Sequence, residues 1–315
     1  MHSSAQIDVV IPAFNAGKYI EKTLASVAIQ GGLVRSVIVV NDGSTDQTAQ
    51  IVESFAKNHP SLGIQLINQE NAGLANARNT GINASTQESK APFIALLDAD
   101  DVWLAGKLEK QLNLFQASHD SKLGLVYSSY ELIDEKGSAI VGENLIVKPS
   151  LRGEVYSSLL TGNFISGSGS GVLVKSVVFE EVGLFDEALK ASEDWDMWIR
   201  IARKFHFDYV NESLVQIRVH SSNMQKDFSR MLASELAMLN KFAHHGTHNY
   251  FLLWKIQIIL FQKKMLATQI AGFESSEPWV KSQLTGYKHV LWQLLLPIPT
   301  AIWIPLKKLK KSLSS

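Results

Sequence analysis

Cysteine is absent from the 315-residue sequence. Disulfide bonds, thiolate metal sites and cysteine nucleophiles are therefore all excluded. An excess of charge of either sign is also missing, because 30 Lys and Arg residues balance 30 Asp and Glu residues. The overall charge gives no sign of a nucleic-acid partner, and we expect none. Any charged ligand must therefore be bound by a local cluster of residues.

We also predict no secretory signal peptide. The N-terminus lacks a basic segment followed by a long apolar one, and the strand-like run at 7–11 follows almost at once. We therefore expect a cytoplasmic protein.

The first half of the sequence alternates two patterns. Continuous apolar runs end near positions 11, 40, 67 and 97, and apolar residues at helical spacing follow each of them. This alternation predicts an α/β fold with a mostly parallel sheet flanked by helices. Short strands and polar turns take over after position 130, and the sequence looks helical from 229. We predict an α/β domain over residues 1–225 and a helical C-terminal extension over residues 226–315.

Polar residues follow each of the four predicted strands. In open α/β sheets, ligands bind beyond the carboxyl ends of the strands. The strand ends are occupied by the sequences PAFN at 12–15, NDGSTD at 41–46, NQEN at 68–71 and DADD at 98–101. We expect these four segments to converge on one ligand site.

The DADD segment brings three carboxylates into four residues, namely Asp98, Asp100 and Asp101. Such carboxylates repel one another unless cations or hydrogen-bond donors compensate them. Carboxylate oxygens suit Mg²⁺ or Mn²⁺, and Mg²⁺ is usually held by one or two carboxylates plus substrate phosphates. The alternative is that Asp100 or Asp101 caps a helix that starts near Val102.

Two further segments are open to two interpretations. At 41–46 we predict a tight turn at Gly43 that leaves Asp42 free to accept a hydrogen bond from a base or a ribose. At 192–200 the acids Glu193, Asp194 and Asp196 suit the first turn of a helix, where the helix dipole favours negative charge. One of these acids could instead act as a catalytic base.

Five motifs occur together in a fixed order. They read VVIPAFN at 9–15, VVNDGSTD at 39–46, NAGLANARN at 71–79, LDADD at 97–101 and EDW at 193–195. Together they resemble the motifs of the family-2 inverting glycosyltransferases, and the resemblance extends over residues 7–220. It implies a GT-A fold and metal-dependent transfer of a hexosyl unit from a nucleotide-sugar, preferably a UDP-sugar, to a hydroxyl acceptor. The Gln-x-x-Arg-Trp motif of processive synthases is absent after Asp194, so we expect a non-processive enzyme.

The resemblance also implies roles for individual residues. It places nucleotide-sugar binding at Pro12, Ala13, Asn15, Asp42, Arg78, Asp98 and Ala99. It makes Asp100 a ligand of Mg²⁺ or Mn²⁺ and Asp194 the general base. His220 falls where some relatives place a histidine near the metal or the diphosphate, and a purely structural histidine is the alternative.

A second class of function remains open, a non-catalytic subunit that binds a nucleotide-sugar and positions a partner enzyme. The presence of both Asp100 and Asp194 argues against it. A sugar nucleotidyltransferase is disfavoured because the loop at 12–17 lacks the glycine-rich, basic character needed to hold a triphosphate.

The C-terminal segment has a different character. Residues 290–306 carry no charge, yet the segment is short of the roughly 20 apolar residues of a spanning helix and contains three prolines. Trp292 and Trp303 suit a membrane interface, and four lysines follow. We predict that residues 292–306 lie peripherally on the inner face of the cell membrane, close to a lipid-linked acceptor. The alternatives are packing against the rest of the protein and a dimer contact.

Overall fold

The structure is a computed structural model that describes residues 6–140, 146–165, 167, 169–220 and 228–245. Within these residues, nine strands form one sheet with helices packed against it. The strands are β1 (Ile7–Ala13), β2 (Val34–Asp42), β3 (Ile64–Gln69), β4 (Phe93–Leu96), β5 (Val102–Trp103), β6 (Leu123–Ile133), β7 (Ile146–Val147), β8 (Leu173–Lys175) and β9 (His206–Arg218). The helices are α1 (Ile20–Ala28), α2 (Thr48–Asn58), α3 (Leu74–Ala84), α4 (Lys107–Ala117), α5 (Tyr156–Leu159), α6 (Ser176–Val182), α7 (Glu193–Ala202) and α8 (Phe228–His245).

The strand order is β3-β2-β1-β4-β8-β6-β9-β5, with β7 paired to β6. The first four strands in this order are parallel, which confirms the parallel α/β pattern predicted for the first half. The sheet becomes mixed beyond β4, because β8 is antiparallel to both β4 and β6, and β9 is parallel to β6. All seven residues of β1 are buried, which explains its continuous apolar run.

Two hydrophobic clusters lie on the two faces of the sheet. Successive residues of a strand point to opposite faces, so Val10 joins one cluster while Val9 and Ile11 join the other. Helix α3 approaches the first face closely at Gly81, where an added Cβ would lie 2.4 Å from Cγ1 of Val10. This close packing fixes α3, and with it Arg78, against the central strand.

The helix predicted to start near Val102 does not start there. Val102 and Trp103 form the short strand β5, which pairs with β9, and α4 begins only at Lys107. The carboxylate of Asp101 accepts hydrogen bonds from Ser170 and Arg218, which are distant in sequence. The interpretation of Asp100 or Asp101 as a helix cap is therefore wrong.

Helix α8 begins close to the predicted domain boundary. Its buried residues Leu236, Leu239 and Phe242 join the same cluster as Trp198 of α7, so α8 packs against the α/β core. The division at residue 225 stays a prediction. Among the helices in the described ranges, none combines the length and the apolar character required to cross a membrane. The predicted membrane-surface segment at 292–306 lies outside the described residues.

Candidate active site

The loops after β1 and β2 are joined to each other by Asn15. The backbone N–H of Asn15 donates to Oγ of Ser44 at 2.9 Å, and the side-chain Oδ1 of Asn15 accepts from the backbone N–H of Thr45 at 2.9 Å. Asn15 adopts a left-handed backbone conformation with φ of 50°, which asparagine tolerates better than most residues. Pro12 and Ala13 are buried in β1 directly before this junction. The strand ends thus meet at one edge of the sheet, as the sequence predicts.

Asp42 lies at the end of β2 and is almost completely buried. Its Oδ1 accepts from Nε2 of Gln69 at 2.7 Å and from the Ala72 amide at 2.9 Å, while Oδ2 accepts from the Gly73 amide at 2.9 Å. The expectation of a free acceptor is therefore wrong, because the chain itself supplies donors to both oxygens. A role for Asp42 in binding a base remains a prediction.

Arg78 joins two motifs that are far apart in sequence. Its Nη2 donates to Oδ1 of Asp98 at 2.8 Å, and its Nη1 donates to Oε1 of Glu193 at 2.6 Å. The guanidinium is completely buried, which by itself lowers its pKa, but the two acids outweigh this effect and raise the pKa of Arg78. A permanently charged, planar group therefore holds the loop after β4 against the start of α7.

Asp100 lies beside His220, the histidine that the sequence singles out. Nε2 of His220 is 2.8 Å from Oδ2 of Asp100, and the Asp100 side chain is partly exposed. Burial and the charge of Asp98 raise the pKa of Asp100, although the contact with His220 lowers it. The pair offers a carboxylate oxygen, which suits Mg²⁺ or Mn²⁺, and an imidazole nitrogen, which is more typical of other transition metals. In the part of the chain that the structure describes, no three His, Asp or Glu side chains are grouped to hold an ion by themselves.

The neighbouring Asp101 has a different environment. It is buried, its Oδ2 accepts from Oγ of Ser170 at 2.6 Å, and its Oδ1 accepts from the Arg218 amide at 3.0 Å. Burial, followed by the charges of Asp100 and Asp98, raises its pKa well above the usual range. Asp101 therefore anchors the loop, whereas Asp100 faces a more open space. Ala99, which lies between Asp98 and Asp100, is buried, and its carbonyl oxygen accepts from Oγ1 of Thr23 at 2.9 Å.

Arg218 contacts the residues that surround Asp100 and His220. Its Nε donates to the Asp100 carbonyl at 2.8 Å, and its guanidinium lies 4.9 Å from the ring centre of Tyr19. The Tyr19 ring stacks on His220 with ring centres 5.2 Å apart. Sequence reasoning missed Arg218, Tyr19 and Ser170. The position of Arg218 two residues before His220 was the one local signal for it, and no spacing indicated Tyr19.

Asp194 lies in the first turn of α7, as predicted. Ser192, the residue directly before the helix, has a left-handed φ of 57°. Burial, together with the charge of Glu193 and against that of Arg78, raises the pKa of Asp194 to about 7. Among the acids of this turn, Glu193 pairs with Arg78, and Asp196 pairs with Arg200 and Lys241. Asp194 alone of the three forms no ion pair with the described residues. It is therefore the acid best suited to exchange a proton near neutral pH.

Comparisons with known proteins identify the family and agree with the fold. The family described as Glycosyl transferase family 2 matches residues 8–183, and the chain belongs to this family. An uncharacterised glycosyltransferase of Rickettsia prowazekii is 32% identical over 225 residues, covering 70% of this chain and 65% of the relative. A second one, from Rickettsia felis, is 28% identical over 314 residues, covering 95% of this chain and 47% of the relative. The chain thus spans about half to two thirds of the length of these relatives.

Two solved structures are similar in fold. The mannosyltransferase PcManGT of Pyrobaculum calidifontis, in complex with GDP-Man and Mn²⁺, has a TM-score of 0.62 at 19% identity, covering 92% of this chain and 81% of that one. S. aureus TarS 1–349, in complex with UDP-GlcNAc, has a TM-score of 0.60 at 17% identity, covering 89% and 78%. These likenesses confirm the GT-A fold that the sequence predicts.

Proposed function

We propose that this protein is a metal-dependent, inverting glycosyltransferase. It moves a hexosyl unit from a nucleotide-sugar, preferably a UDP-sugar, to a hydroxyl acceptor in glycan or glycolipid biosynthesis, without processive elongation. The observation that supports this most strongly is the Arg78 bridge between Asp98 and Glu193. Asp100 and Asp194 are each close in sequence to one of the bridged acids, which supports placing the metal-site candidate and the base candidate in one site.

The donor would bind along the ends of β1, β2 and β4. Pro12, Ala13 and Asn15 would line the base pocket together with Asp42, and Arg78, Asp98 and Ala99 would follow towards the ribose and phosphates. The complexes of TarS with UDP-GlcNAc and of PcManGT with GDP-Man support a nucleotide-sugar donor. Our preference for UDP rests on the family resemblance.

Asp100 and His220 would hold Mg²⁺ or Mn²⁺, and the Mn²⁺ in the PcManGT complex supports such a cofactor. A bound cation would stabilise the negative charge that develops on the departing nucleoside diphosphate. Because two of the described side chains offer donors here, diphosphate oxygens and water would complete the coordination.

Asp194 would accept the proton of the acceptor hydroxyl as its oxygen attacks the anomeric carbon. Attack from the face opposite the leaving diphosphate inverts the configuration of that carbon. A carboxylate with a pKa of about 7 is ionised in a substantial fraction of molecules at neutral pH and is basic enough to take this proton. General-base help of this kind contributes about 10²- to 10⁴-fold to a rate.

We also propose that residues 292–306 bind the cytoplasmic face of the membrane and bring the site to a lipid-linked acceptor. The support is the uncharged, tryptophan-containing segment followed by four lysines. Flotation with anionic liposomes tests this: the full chain should float, and a version ending at Lys288 should not. Equal behaviour of both would mean that the segment is structural.

The direct test of the activity is a panel of UDP-, dTDP- and GDP-sugars, incubated with the full chain and Mn²⁺, with nucleoside diphosphate release as the readout. We expect release from at least one UDP-sugar and loss of this release in EDTA. Full release in EDTA would refute the metal-dependent reaction. Binding of a UDP-sugar without any release would favour the non-catalytic subunit instead.

A further inference from the structure

Helix α8 contacts the segment that carries Asp194 through two charged side chains: Arg230, whose Nε donates to the Lys190 carbonyl at 3.0 Å, and Lys241. Nζ of Lys241 donates to Oδ1 of Asp196 at 2.7 Å and to Oδ2 of Asp186 at 2.8 Å. Asp196 lies two residues after Asp194 within α7, and Asp186 lies in the loop that leads into α7. One lysine therefore connects this helix and its preceding loop.

The Asp196 carboxylate depends on cations because its side chain has no solvent exposure. Arg200 donates from Nε to Oδ2 of Asp196 at 2.8 Å, and Lys241 supplies the second cation. Arg200 also donates to the carbonyl oxygens of Val182 and Leu184, just before Asp186. A buried acid that loses one partner becomes strongly unfavourable, so the local structure must change when Lys241 loses its charge.

The opposite side of the same loop is held by α3, the helix that carries Arg78. Asn79 donates to the Phe185 carbonyl at 2.9 Å and accepts from the Phe185 amide at 2.8 Å. Glu187 accepts from Asn76 at 3.0 Å and from Asn79 at 2.8 Å. The loop before Asp194 is thus fixed between α3, which belongs to the half of the protein that contains β1 to β4, and α8.

We propose that Lys241 is a positioning residue for the transfer reaction, which orients the first turn of α7 and thereby Asp194. The inference rests on the proposed function. Helix α8 lies beyond residues 8–183, the part matched by the family, so this contact comes from outside that shared part. Because Lys241 contacts none of the loops after β1, β2 or β4, its loss should affect turnover and leave donor binding intact.

Three variants of the full chain test this role. Lys241→Met keeps the length of the side chain and removes its charge, whereas Lys241→Arg keeps the charge. Lys204→Met is the matched control. Lys204 lies just beyond the end of α7, is half exposed, and donates to the Glu181 carbonyl in α6. Each variant is measured by hydrogen–deuterium exchange and by UDP release from the UDP-sugar that wild type uses fastest.

We expect Lys241→Met to lower kcat about 10- to 100-fold with the donor KM unchanged, as for a catalytic group displaced by about 1 Å. Amides 196–199 should exchange about tenfold faster, while those of β1 and β2 stay protected. Lys241→Arg should restore most of the turnover, and Lys204→Met should resemble wild type.

Wild-type kcat in Lys241→Met would overturn the inference, as would unchanged exchange of α7. Loss of kcat only in proportion to a loss of folded protein would also overturn it, because the lysine would then be purely structural. Asp194→Asn separates this failure from failure of the proposed function. If Asp194→Asn is inactive while Lys241→Met is fully active, only the positioning role fails; if Asp194→Asn is fully active, the proposed base itself is wrong.

Discussion

Asp42 in the first half of the protein, which contains β1 to β4, and Asp194 in the second half, which contains β5 to β9, are held in opposite ways. Asp42 accepts three hydrogen bonds, all from residues within 31 positions in sequence. Asp194 accepts one, from the amide of Trp195, and burial and neighbouring charges raise its pKa to about 7. A carboxylate held by donors of the chain orders the loops around it, whereas one that titrates near neutrality suits proton transfer. Under the proposed function, the first half would bind the donor and the second would supply the base, and Arg78 joins the two.

Removing the joint between the halves should have the largest effect. Arg78→Met leaves Asp98 and Glu193 without their shared cation, and breaking a buried pair in this way costs about 3–5 kcal/mol. We expect a loss of this size in the free energy of unfolding, measured by urea denaturation. Arg203→Met, at an exposed position after α7, is the control. A loss below about 1 kcal/mol, the value of a surface ion pair, would mean that the halves are held together by other contacts.

Removing the proposed metal ligand should abolish most of the turnover. Lewis-acid stabilisation is worth several kcal/mol, so Asp100→Ala should lower turnover about 10³-fold or more. The control is Asp120→Ala, because Asp120 also contacts a histidine, with Oδ2 2.7 Å from Nδ1 of His206, but at an exposed position. Retention of activity in Asp100→Ala would remove this residue from the metal site.

Replacing Asp42 in the first half should affect the binding of the donor more than the turnover. Asp42→Ala removes the acceptor of Gln69 and of the Ala72 and Gly73 amides, and hydrogen bonds to a charged group are worth about 1.5–3 kcal/mol. We expect the donor KM to rise about 10- to 100-fold, with kcat much less affected. The exposed neighbour Glu70→Ala should have no effect. Unchanged binding of all UDP and dTDP compounds would exclude Asp42 from the base pocket.

The pH dependence of kcat/KM should reflect the ionisation of Asp194 in the second half. Asp194 must be ionised to accept a proton, and its pKa is raised to about 7 by burial and by Glu193. Protonation below that value removes the base, so kcat/KM should fall about tenfold per pH unit on the acidic side. A kcat/KM profile that stays flat from about pH 5 to 8 would contradict this assignment.

The same division explains what the sequence could predict. The strands, the converging loops and the acidic turn of α7 follow from local patterns of apolar and polar residues. The predictions that were wrong depend on partners distant in sequence. The Asp42 carboxylate accepts hydrogen bonds from a residue after β3, and β5 forms because it pairs with β9. The contacts of Arg218 and Lys241 likewise cross large sequence separations. The position of Arg218 near His220 was a local signal for the residue itself, but no local spacing indicated its partners or those of Lys241.

The most direct test of the account is Asp194→Asn, measured for donor binding by calorimetry and for turnover with the same UDP-sugar and Mn²⁺. Asparagine keeps the shape of the side chain but cannot accept a proton at neutral pH. We predict a loss of turnover of about 10²- to 10⁴-fold with the dissociation constant of the donor unchanged. Turnover at the wild-type rate would contradict the account, and Glu193 or Asp196 would become the candidate base.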